Sequence, residues 1–236
     1  GEARDHDCKS HAFVRAVDGT ITTCDAPEAD GTSAVDINVK GLITGTFKDS
    51  SGQAHGFLRA KNGALTTFDF PNAVQTLPVA INKAGTITGS YVDSNQMLRG
   101  FVGTKDGNFS TFDPEHSIAT DVAGINDSGE LAGWYHSNQS KILGFFRTRR
   151  GKIKKIDPDH SPSVLIHAIN NIGAVTGFYG ISGTTHGFVR AADGSITVFD
   201  PEQAVGTEAR AINDAGVVAG DFFGNDELYH GFVRTP

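Results

Sequence analysis

The chain has 236 residues, enough for one large domain or two small ones. Its 29 glycines, 16 phenylalanines and hydrophobic fraction of 38% are typical of an all-β protein with many tight turns. A net charge of −7 argues against nucleic-acid binding, which needs a basic face, and no apolar run approaches the roughly 20 residues of a membrane span. The first residues show neither an initiator methionine nor a signal peptide, so we expect a mature or trimmed chain.

Residues 1–10 form an N-terminal segment that precedes the repeated part of the chain. This segment contains Cys8, and the second cysteine, Cys24, ends the first predicted hairpin. Neither cysteine recurs later in the chain, and both lie where a free terminus needs fixing. We therefore predict a Cys8–Cys24 disulfide, as in proteins of oxidising compartments, with two unpaired thiols as the alternative.

Residues 11–236 repeat one unit, with copies that start near residues 11, 55, 99, 143 and 186 and a partial sixth copy at 230. The phenylalanine of a Gly/Ala-Phe pair marks each copy, at spacings of 44, 44, 44, 43 and 44 residues. Each full copy has four short apolar runs separated by Asp-Gly, Asn-Gly or Asn-x-x-Gly turns. Such runs and turns predict antiparallel hairpins, and four strands in about 44 residues match one propeller blade.

The repeats predict an all-β, five-bladed β-propeller in a single domain. Four blades would cover residues 33–70, 77–113, 120–157 and 164–200, each from an inner strand ending Ile-Asn to an outer strand ending in Asp. The fifth would pair residues 207–234 with the N-terminal 11–25 and so close the ring without a long exposed edge. The count gives 21 strands where five blades need 20, so His11–Arg15 and His230–Arg234 compete for one position. The spare strand either widens that blade or pairs with another molecule.

The triplet His11-Ala12-Phe13 and the Ala-x-x-Ile-Asn pattern of Ala34–Asn38 and Ala209–Asn213 resemble the bacterial extracellular HAF repeat family. The resemblance covers residues 11–236. It implies a β-propeller-like module that is secreted, periplasmic or held at the cell surface, and it implies no catalytic activity.

The triplet histidines recur in one column, at His11, His55, His186 and His230, but Arg99 and Leu143 replace them in two copies. A whole blade separates neighbouring members, which is too far for ligands of one metal ion. We therefore expect each histidine to bond the backbone at the edge of its blade. The sequence also lacks metal-binding, phosphate-binding and nucleophile motifs, so we expect no cofactor.

Three sets of residues depart from the repeat, and function on a symmetric scaffold is expected in such departures. The first lies on the predicted inner strands, where His167 and Arg210 stand three residues before the conserved-type asparagine of their copies. Asp36, Asp121 and Glu208 lie nearby on inner strands. These five side chains could form a polar pocket on the channel axis that binds an ion or an anionic group. Alternatively, they are channel-lining residues solvated by water.

The second set is the hairpin 147–155, which carries six cations in nine residues of an acidic protein. We take Arg147, Arg149, Arg150, Lys152 and Lys154 as a candidate site for an acidic ligand. The alternative is a solvated outer hairpin whose lysines prevent edge-to-edge pairing.

The third set is Trp134 and His136, next to the variable loop 137–141. The corresponding loops 48–54, 92–98, 180–185 and 223–229 should emerge on the same rim, where variable loops usually set binding specificity. Trp134 could stack on a sugar ring or could simply fill space between blades.

These patterns favour a non-catalytic, secreted propeller that binds a protein or a glycan through its rim loops or channel mouth. A carbohydrate-active enzyme, a glycoside hydrolase or lyase, is the alternative, with one axial site built from Asp36, Asp121 or Glu208. A third possibility is a structural assembly module, in which the spare strand makes an edge-mediated oligomer instead of a monomer.

Overall fold

The computed structural model describes residues 1–7 and 9–236 and is all-β apart from one 3-10 turn at Pro158–His160. The described residues form 22 strands in two compact units, residues 1–113 and 114–236. Among them, no helix is long and apolar enough to cross a membrane.

Unit 1 contains one sheet of three strands and two sheets of four, each with its strands hydrogen-bonded in chain order. The N-terminal sheet consists of β1 (Glu2–Arg4), β2 (Ser10–Arg15) and β3 (Ile21–Thr23). Sheet A consists of β4 (Gly31–Ile37), β5 (Ile43–Lys48), β6 (Ala54–Arg59) and β7 (Leu65–Phe68). Sheet B consists of β8 (Gln75–Ile81), β9 (Thr86–Val92), β10 (Leu98–Thr104) and β11 (Phe109–Phe112).

Unit 2 contains two sheets of four strands and a C-terminal sheet of three. Sheet C consists of β12 (Ser117–Ile125), β13 (Leu131–Ser137), β14 (Ile142–Arg147) and β15 (Ile153–Ile156). Sheet D consists of β16 (Ser163–Ile169), β17 (Val175–Ile181), β18 (Thr184–Arg190) and β19 (Ile196–Phe199), and a parallel bridge between Ile142 and Ser163 links it to sheet C. The C-terminal sheet consists of β20 (Ala204–Ile212), β21 (Val218–Gly224) and β22 (Tyr229–Arg234).

Sheets A to D have the four strands and the strand order predicted from the repeat. The two chain ends differ from the prediction, because each forms a three-stranded sheet of its own and the predicted joint fifth blade is not observed. The N-terminal segment, expected to lie outside the repeats, supplies β1, which pairs with β2 from Glu2 opposite Ala12 to Arg4 opposite Ser10. This pairing satisfies backbone groups that β2 would otherwise leave open on its free edge.

The phenylalanine column forms the core between the sheets of each unit. Phe57 and Phe101 in unit 1, and Phe145 and Phe188 in unit 2, have no exposed surface. Burying a side chain of this size stabilises the fold by about 1.5–3 kcal/mol. The repeat is therefore first of all a packing pattern.

The asparagine column closes the turn after each first strand and also joins neighbouring sheets. The Asn38 side-chain oxygen accepts hydrogen bonds from the amides of Lys40 and Leu42, at 3.0 and 3.1 Å. Its Nδ2 donates to the carbonyl oxygen of the equivalent Asn82 in sheet B, at 2.8 Å. Asn170 makes the same contact to the carbonyl of Asn213, at 2.8 Å. A turn residue thus also fixes the spacing of the sheets.

The triplet histidines bond carboxylates, and the expectation that they bond the backbone was wrong. His55 Nδ1 donates to Asp69 at 2.9 Å, and its Nε2 lies 3.3 Å from Asp49. Burial lowers the pKa of His55, but the two carboxylates outweigh it and raise that pKa above its ordinary value. Hydrogen bonds from Ser51, Gln53 and His55 lower the pKa of Asp49 to about 2. The histidine therefore acts as a partly buried cation between two anions.

The third copy supports this interpretation, because a permanent cation occupies the same place. Arg99 lies 3.3 Å from Asp93 and 3.4 Å from Asp113. In the fourth copy, where Leu143 replaces the histidine, Lys155 pairs with Asp157 at 2.8 Å instead. The outer Asp of each strand thus needs a positive partner, and the sequence supplies it in three ways.

Cys24 is buried, with 4% of its surface exposed, and burial raises the pKa of its thiol. Cys8 lies outside the described residues, so the Cys8–Cys24 disulfide stays a prediction.

Candidate functional site

The variable column on the first strands coincides with a β-bulge in every repeat. In β4, β8, β12, β16 and β20 the pairing register shifts by one residue at the same place. The bulged residues are Val35, Val79, Ala123, His167 and Arg210. Because a bulge redirects a side chain without ending the strand, the fold offers one re-aimed side chain per repeat.

A glycine opposite each bulge keeps it in place. A Cβ on Gly177 would overlap the carbonyl oxygen of Leu165 and lie 3.0 Å from Ile166 Cα, so only glycine fits there. Gly45, Gly89, Gly133 and Gly220 are in the same situation. The variable residue therefore sits on a rigid base, as a binding position requires.

In unit 2 the last bulge carries an ion-pair cluster. Arg210 pairs with Glu208 and, through Nε, with Asp221 at 2.8 Å. The hydrogen bond to Asp221 raises the pKa of Arg210 further. Two carboxylates held by one guanidinium are poor candidates for an acid and base pair, because glycoside hydrolysis needs one of the two to carry a proton.

His167 completes this cluster. Its ring stacks on Phe178, with centroids 5.4 Å apart and an interplanar angle of 23°. Burial lowers the pKa of His167, and the nearby Arg210 cation lowers it further. Its Nε2 is buried without a hydrogen-bond partner among the described residues. The predicted association of His167, Glu208 and Arg210 is thus observed, with a neutral histidine. Sequence reasoning missed Asp221, although Asp is unique among the equivalents of Trp134.

The other two predicted carboxylates have different positions. Asp36, in unit 1, accepts hydrogen bonds from the amides of Ile37 and Ile81, both at 2.8 Å. It therefore holds sheets A and B together. Asp121, in unit 2, lies directly opposite Trp134 in the β12–β13 register. These contacts give no support to an acid–base pair built from Asp36, Asp121 and Glu208.

Trp134 and His136 lie on one face of β13 and contact each other edge to face, with centroids 5.5 Å apart. Trp134 is directly opposite Gly144, where a Cβ would lie 3.0 Å from Val164 and Ile166 of β16. Opposite residues of an antiparallel pair share a face, so Trp134 faces sheet D. This position favours packing between sheets over an open stacking surface.

The basic hairpin separates into two kinds of residue. Arg147 packs over Gly151, with Nη2 3.4 Å from the Cβ position, as Arg190 does over Gly194 at 3.3 Å. Arg147 thus belongs to the scaffold. The exposed cations are Arg149, Arg150, Lys152, Lys154 and Lys155. Lys155 is bound to Asp157, so four cations remain available for an acidic ligand.

Unit 1 contains a cleft that the sequence did not predict. It has a volume of about 490 Å³, within the range of small-molecule sites. Thr46, Lys48, Gln75 and Leu77 line one side, where sheets A and B meet beside the variable loop 48–54. We call it the Thr46 cleft. The equivalents of Thr46 and Lys48 in sheet C are Trp134 and His136, so small or flexible side chains stand where sheet C has two rings.

The other side of the Thr46 cleft comes from the N-terminal sheet. Ser10 and Ser33 donate hydrogen bonds of 2.7 Å to the two oxygens of Glu2. These bonds, that from Ser33 first, hold the pKa of Glu2 below its ordinary value. Arg4 also lines the cleft. The cleft thus presents an ionised carboxylate, cations and neutral donors within one concave surface.

Among the residues that the structure describes, no group of three or more His, Cys, Asp or Glu side chains could hold a metal ion.

No protein-family model matches the chain, and no curated protein sequence matches it. Several solved structures share its fold. TolB from Acinetobacter baumannii has 9% sequence identity and a TM-score of 0.63, over 96% of this chain and 57% of TolB. Puromycin hydrolase has 14% identity and a TM-score of 0.60, over 96% of this chain and 41% of the hydrolase. A fungal lectin from Aleuria aurantia, described as a six-bladed β-propeller, has 12% identity and a TM-score of 0.50, over 98% and 85%.

The chain therefore spans less than two thirds of the TolB and hydrolase structures. At these identities the likeness shows the fold alone. The chain has a β-propeller-like, all-β fold.

Proposed function

We propose that this chain is a non-catalytic binding scaffold and that it binds a glycan at its rim, in the Thr46 cleft. The observation that carries the proposal is the polar, concave surface beside the variable loop 48–54. The repeated histidines, asparagines and outer aspartates are engaged in contacts that hold the fold. The residues that vary between copies are thus the ones left for binding.

The chemistry of the Thr46 cleft suits a neutral sugar. Sugar hydroxyls both donate and accept hydrogen bonds, and the ionised Glu2 accepts while Lys48 and Gln75 donate. Leu77 offers an apolar wall for the C–H face of a ring. A few placed polar groups on a partly apolar wall are the usual composition of a small-molecule site.

Titration calorimetry with methyl glycosides of fucose, galactose, glucose and mannose tests this proposal. We expect saturable binding of at least one glycoside and its loss in Thr46→Trp, which places in the cleft the ring that sheet C has at Trp134. Thr67→Trp, on the exposed outer strand of sheet A, is the matched control and should bind as the wild type does. If no glycoside binds at millimolar concentration, or if Thr46→Trp binds normally, the proposal is wrong.

A second ligand class has its own support in the four available cations of the hairpin 147–155. An acidic polymer should bind there mainly through charge, so its affinity should fall steeply with salt. Heparin is a suitable probe. Joint replacement of Arg149, Arg150, Lys152 and Lys154 by alanine should abolish heparin binding, while the equivalent loop in sheet D, with the single cation Arg190, should show none.

The remaining predictions keep their basis in the sequence. We propose membership of the HAF repeat family, and with it a bacterial protein that is secreted, periplasmic or held at the cell surface. Closure of five blades into a ring also stays a prediction, supported by strand types: β20 to β22 correspond to the first three strands of a blade and β3 to the fourth. A carbohydrate-active enzyme remains the alternative, and measured turnover of a glycan would favour it.

A further inference from the structure

The outer edge of β22 has no partner strand among the described residues. The C-terminal sheet has the order β20-β21-β22, while sheets A to D each have a fourth strand beyond the strand equivalent to β22. Tyr229 and Val233 of β22 are 77% and 74% exposed. An unpaired edge of this kind is a template for another strand.

Sheet D shows what the fourth strand supplies. β19 pairs with β18 in antiparallel register, with Phe199 opposite Gly187 and Ile196 opposite Arg190. The Phe199 ring covers Gly187 and would lie 3.0 Å from a Cβ there. The following Asp200 accepts a hydrogen bond of 2.7 Å from His186 Nδ1.

The same arrangement recurs in other sheets. Phe68 covers Gly56 and Phe112 covers Gly100, each within 3.0 Å of the Cβ position. His55 bonds Asp69 in sheet A. A fourth strand is therefore recognised by three features: its backbone, a phenylalanine over glycine and an aspartate beside the triplet histidine.

All three positions are open at β22. The nearest atom to a Cβ on Gly231 is the Gly220 carbonyl oxygen, at 4.0 Å, so no ring covers this glycine. His230 bonds Asp226 through Nε2 at 3.0 Å, and its Nδ1 has no partner among the described residues. The ring of Phe222 stacks on His230 at 5.1 Å and orients it.

The edge of β22 also lacks the usual protection against pairing. Edge strands are commonly protected by lysine or proline, and the outer strand β15 carries the exposed Lys154 and Lys155. From Tyr229 to Val233, β22 has neither lysine nor proline. Its exposed residues are instead an aromatic and a β-branched side chain, which favour strand pairing.

We propose that the edge of β22 binds an extended segment of a partner protein with the pattern Ile/Leu-x-x-Phe-Asp, added as the fourth strand of the C-terminal sheet. The segment runs antiparallel to β22. Its phenylalanine lies over Gly231, its aspartate accepts a hydrogen bond from His230, and its first residue lies opposite Arg234. Backbone pairing supplies affinity, and the phenylalanine and aspartate supply specificity, as in other cases of strand addition.

The test uses a fluorescent peptide with the sequence of residues 195–201, SITVFDP, and the whole chain. We expect saturable binding by fluorescence anisotropy. Replacing the peptide phenylalanine by alanine should weaken binding about tenfold or more, because the burial of its ring is lost. Replacing the aspartate by asparagine should weaken it as well, because a charge-assisted hydrogen bond becomes a neutral one.

His230→Ala should reduce the affinity of the intact peptide to that of the peptide without aspartate. His160→Ala is the matched control, since His160 is a 96% exposed histidine of the same unit, and should leave binding unchanged. Hydrogen exchange gives an independent readout: amides of Gly231–Arg234 should exchange fast in the free chain and become protected by the peptide.

Three results would overturn the proposal. The first is equal binding of the intact and doubly substituted peptides. The second is binding that is insensitive to His230→Ala. The third is protection of β22 in the free chain at the level of β18, which would mean that the chain or a second copy already covers this edge. Thr46→Trp should not affect the peptide, so failure here is distinguishable from failure of the glycan proposal.

Discussion

Gly177→Ala is the substitution for which the structure gives the sharpest expectation. Gly177 lies in β17, opposite Ile166 and beside the bulge at His167. A Cβ there would overlap the carbonyl oxygen of Leu165 and lie 3.0 Å from both Ile166 Cα and Leu165 C. All three are backbone atoms of the neighbouring strand, so no side-chain rotation relieves the contact.

The magnitude follows from what must move. Carbon atoms pack best at about 3.5–4.0 Å, so β16 must shift away from β17 along the bulge. Overpacking of this kind costs about 1–3 kcal/mol, and each backbone hydrogen bond weakened by the shift adds about 1 kcal/mol. Replacing glycine returns about 0.4–1 kcal/mol through the unfolded chain. We therefore expect Gly177→Ala to lower the free energy of unfolding by about 3 kcal/mol.

Gly180→Ala is the control, in the same strand. Its nearest neighbours to a Cβ lie at 3.7 and 3.8 Å, which is ordinary van der Waals contact. Urea unfolding followed by Trp134 fluorescence should place this variant within about 0.5 kcal/mol of the wild type. The melting temperature of Gly177→Ala should fall by roughly 6–12 °C, at about 2–4 °C per kcal/mol. If the two variants differ by less than about 0.5 kcal/mol, the bulge does not require glycine and the reasoning is refuted.

Three further predictions concern the repeated and variable polar residues. Asn170→Ala should lower the free energy of unfolding by about 3 kcal/mol, because buried amide and carbonyl groups lose their partners, and Asn213→Ala by only about 1 kcal/mol, because that side chain is exposed; urea unfolding measures both. The pKa of His55 is raised, so its stabilising contribution is complete below its ordinary pKa of about 6.5 and is lost as the pH rises through the raised value. His55→Arg should remove this loss, measured as the change in melting temperature between pH 6 and pH 9. Arg210→Ala should raise the pKa of His167, because a nearby cation disappears while burial remains; NMR titration of the imidazole protons measures it.

Each of these has a contradicting outcome. Equal losses for Asn170→Ala and Asn213→Ala would show that the contact between sheets contributes nothing. A pH profile of His55→Arg identical to that of the wild type would assign the titration to another group. An unchanged pKa of His167 in Arg210→Ala, with Arg150→Ala as the surface control, would mean that burial alone lowers it.

Much of the fold follows from local features of the sequence. Alternating apolar residues and the turn signals at Asn-x-x-Gly and Asp-Gly depend on neighbours in the chain, and they predicted the strand order of sheets A to D. The pairing of β1 was not predictable, because Glu2–Arg4 has no alternation and its pairing depends on the open edge of β2. The separate sheets at the two ends were missed for a related reason: strand type does not determine which strands become neighbours.

The site was predictable where the signal was a departure from the repeat. His167, Glu208 and Arg210 were found because their equivalents differ, and the structure brings them together. The carboxylate partners of the triplet histidines were missed, although an outer Asp stands 14 residues after each of His11, His55 and His186. The replacement of histidine by Arg99 was the available signal, since an arginine in that column indicates a cation between anions. No sequence signal marked the Thr46 cleft, because a cavity depends on how two sheets face each other.

The repeat itself provides the strongest argument about function, because each copy is a control for the others. Gly177 and its equivalents cannot change without a loss of about 3 kcal/mol, so their uniformity reflects the scaffold and carries no information about ligands. Thr46 stands where sheet C has Trp134, and Gly231 is uncovered where Gly187 lies under Phe199. Neither difference is needed for packing, since the other copies show the filled arrangement to be compatible with the same fold. Surface that a copy leaves open, although its neighbours show how to fill it, is the surface on which a ligand or a partner strand should be sought.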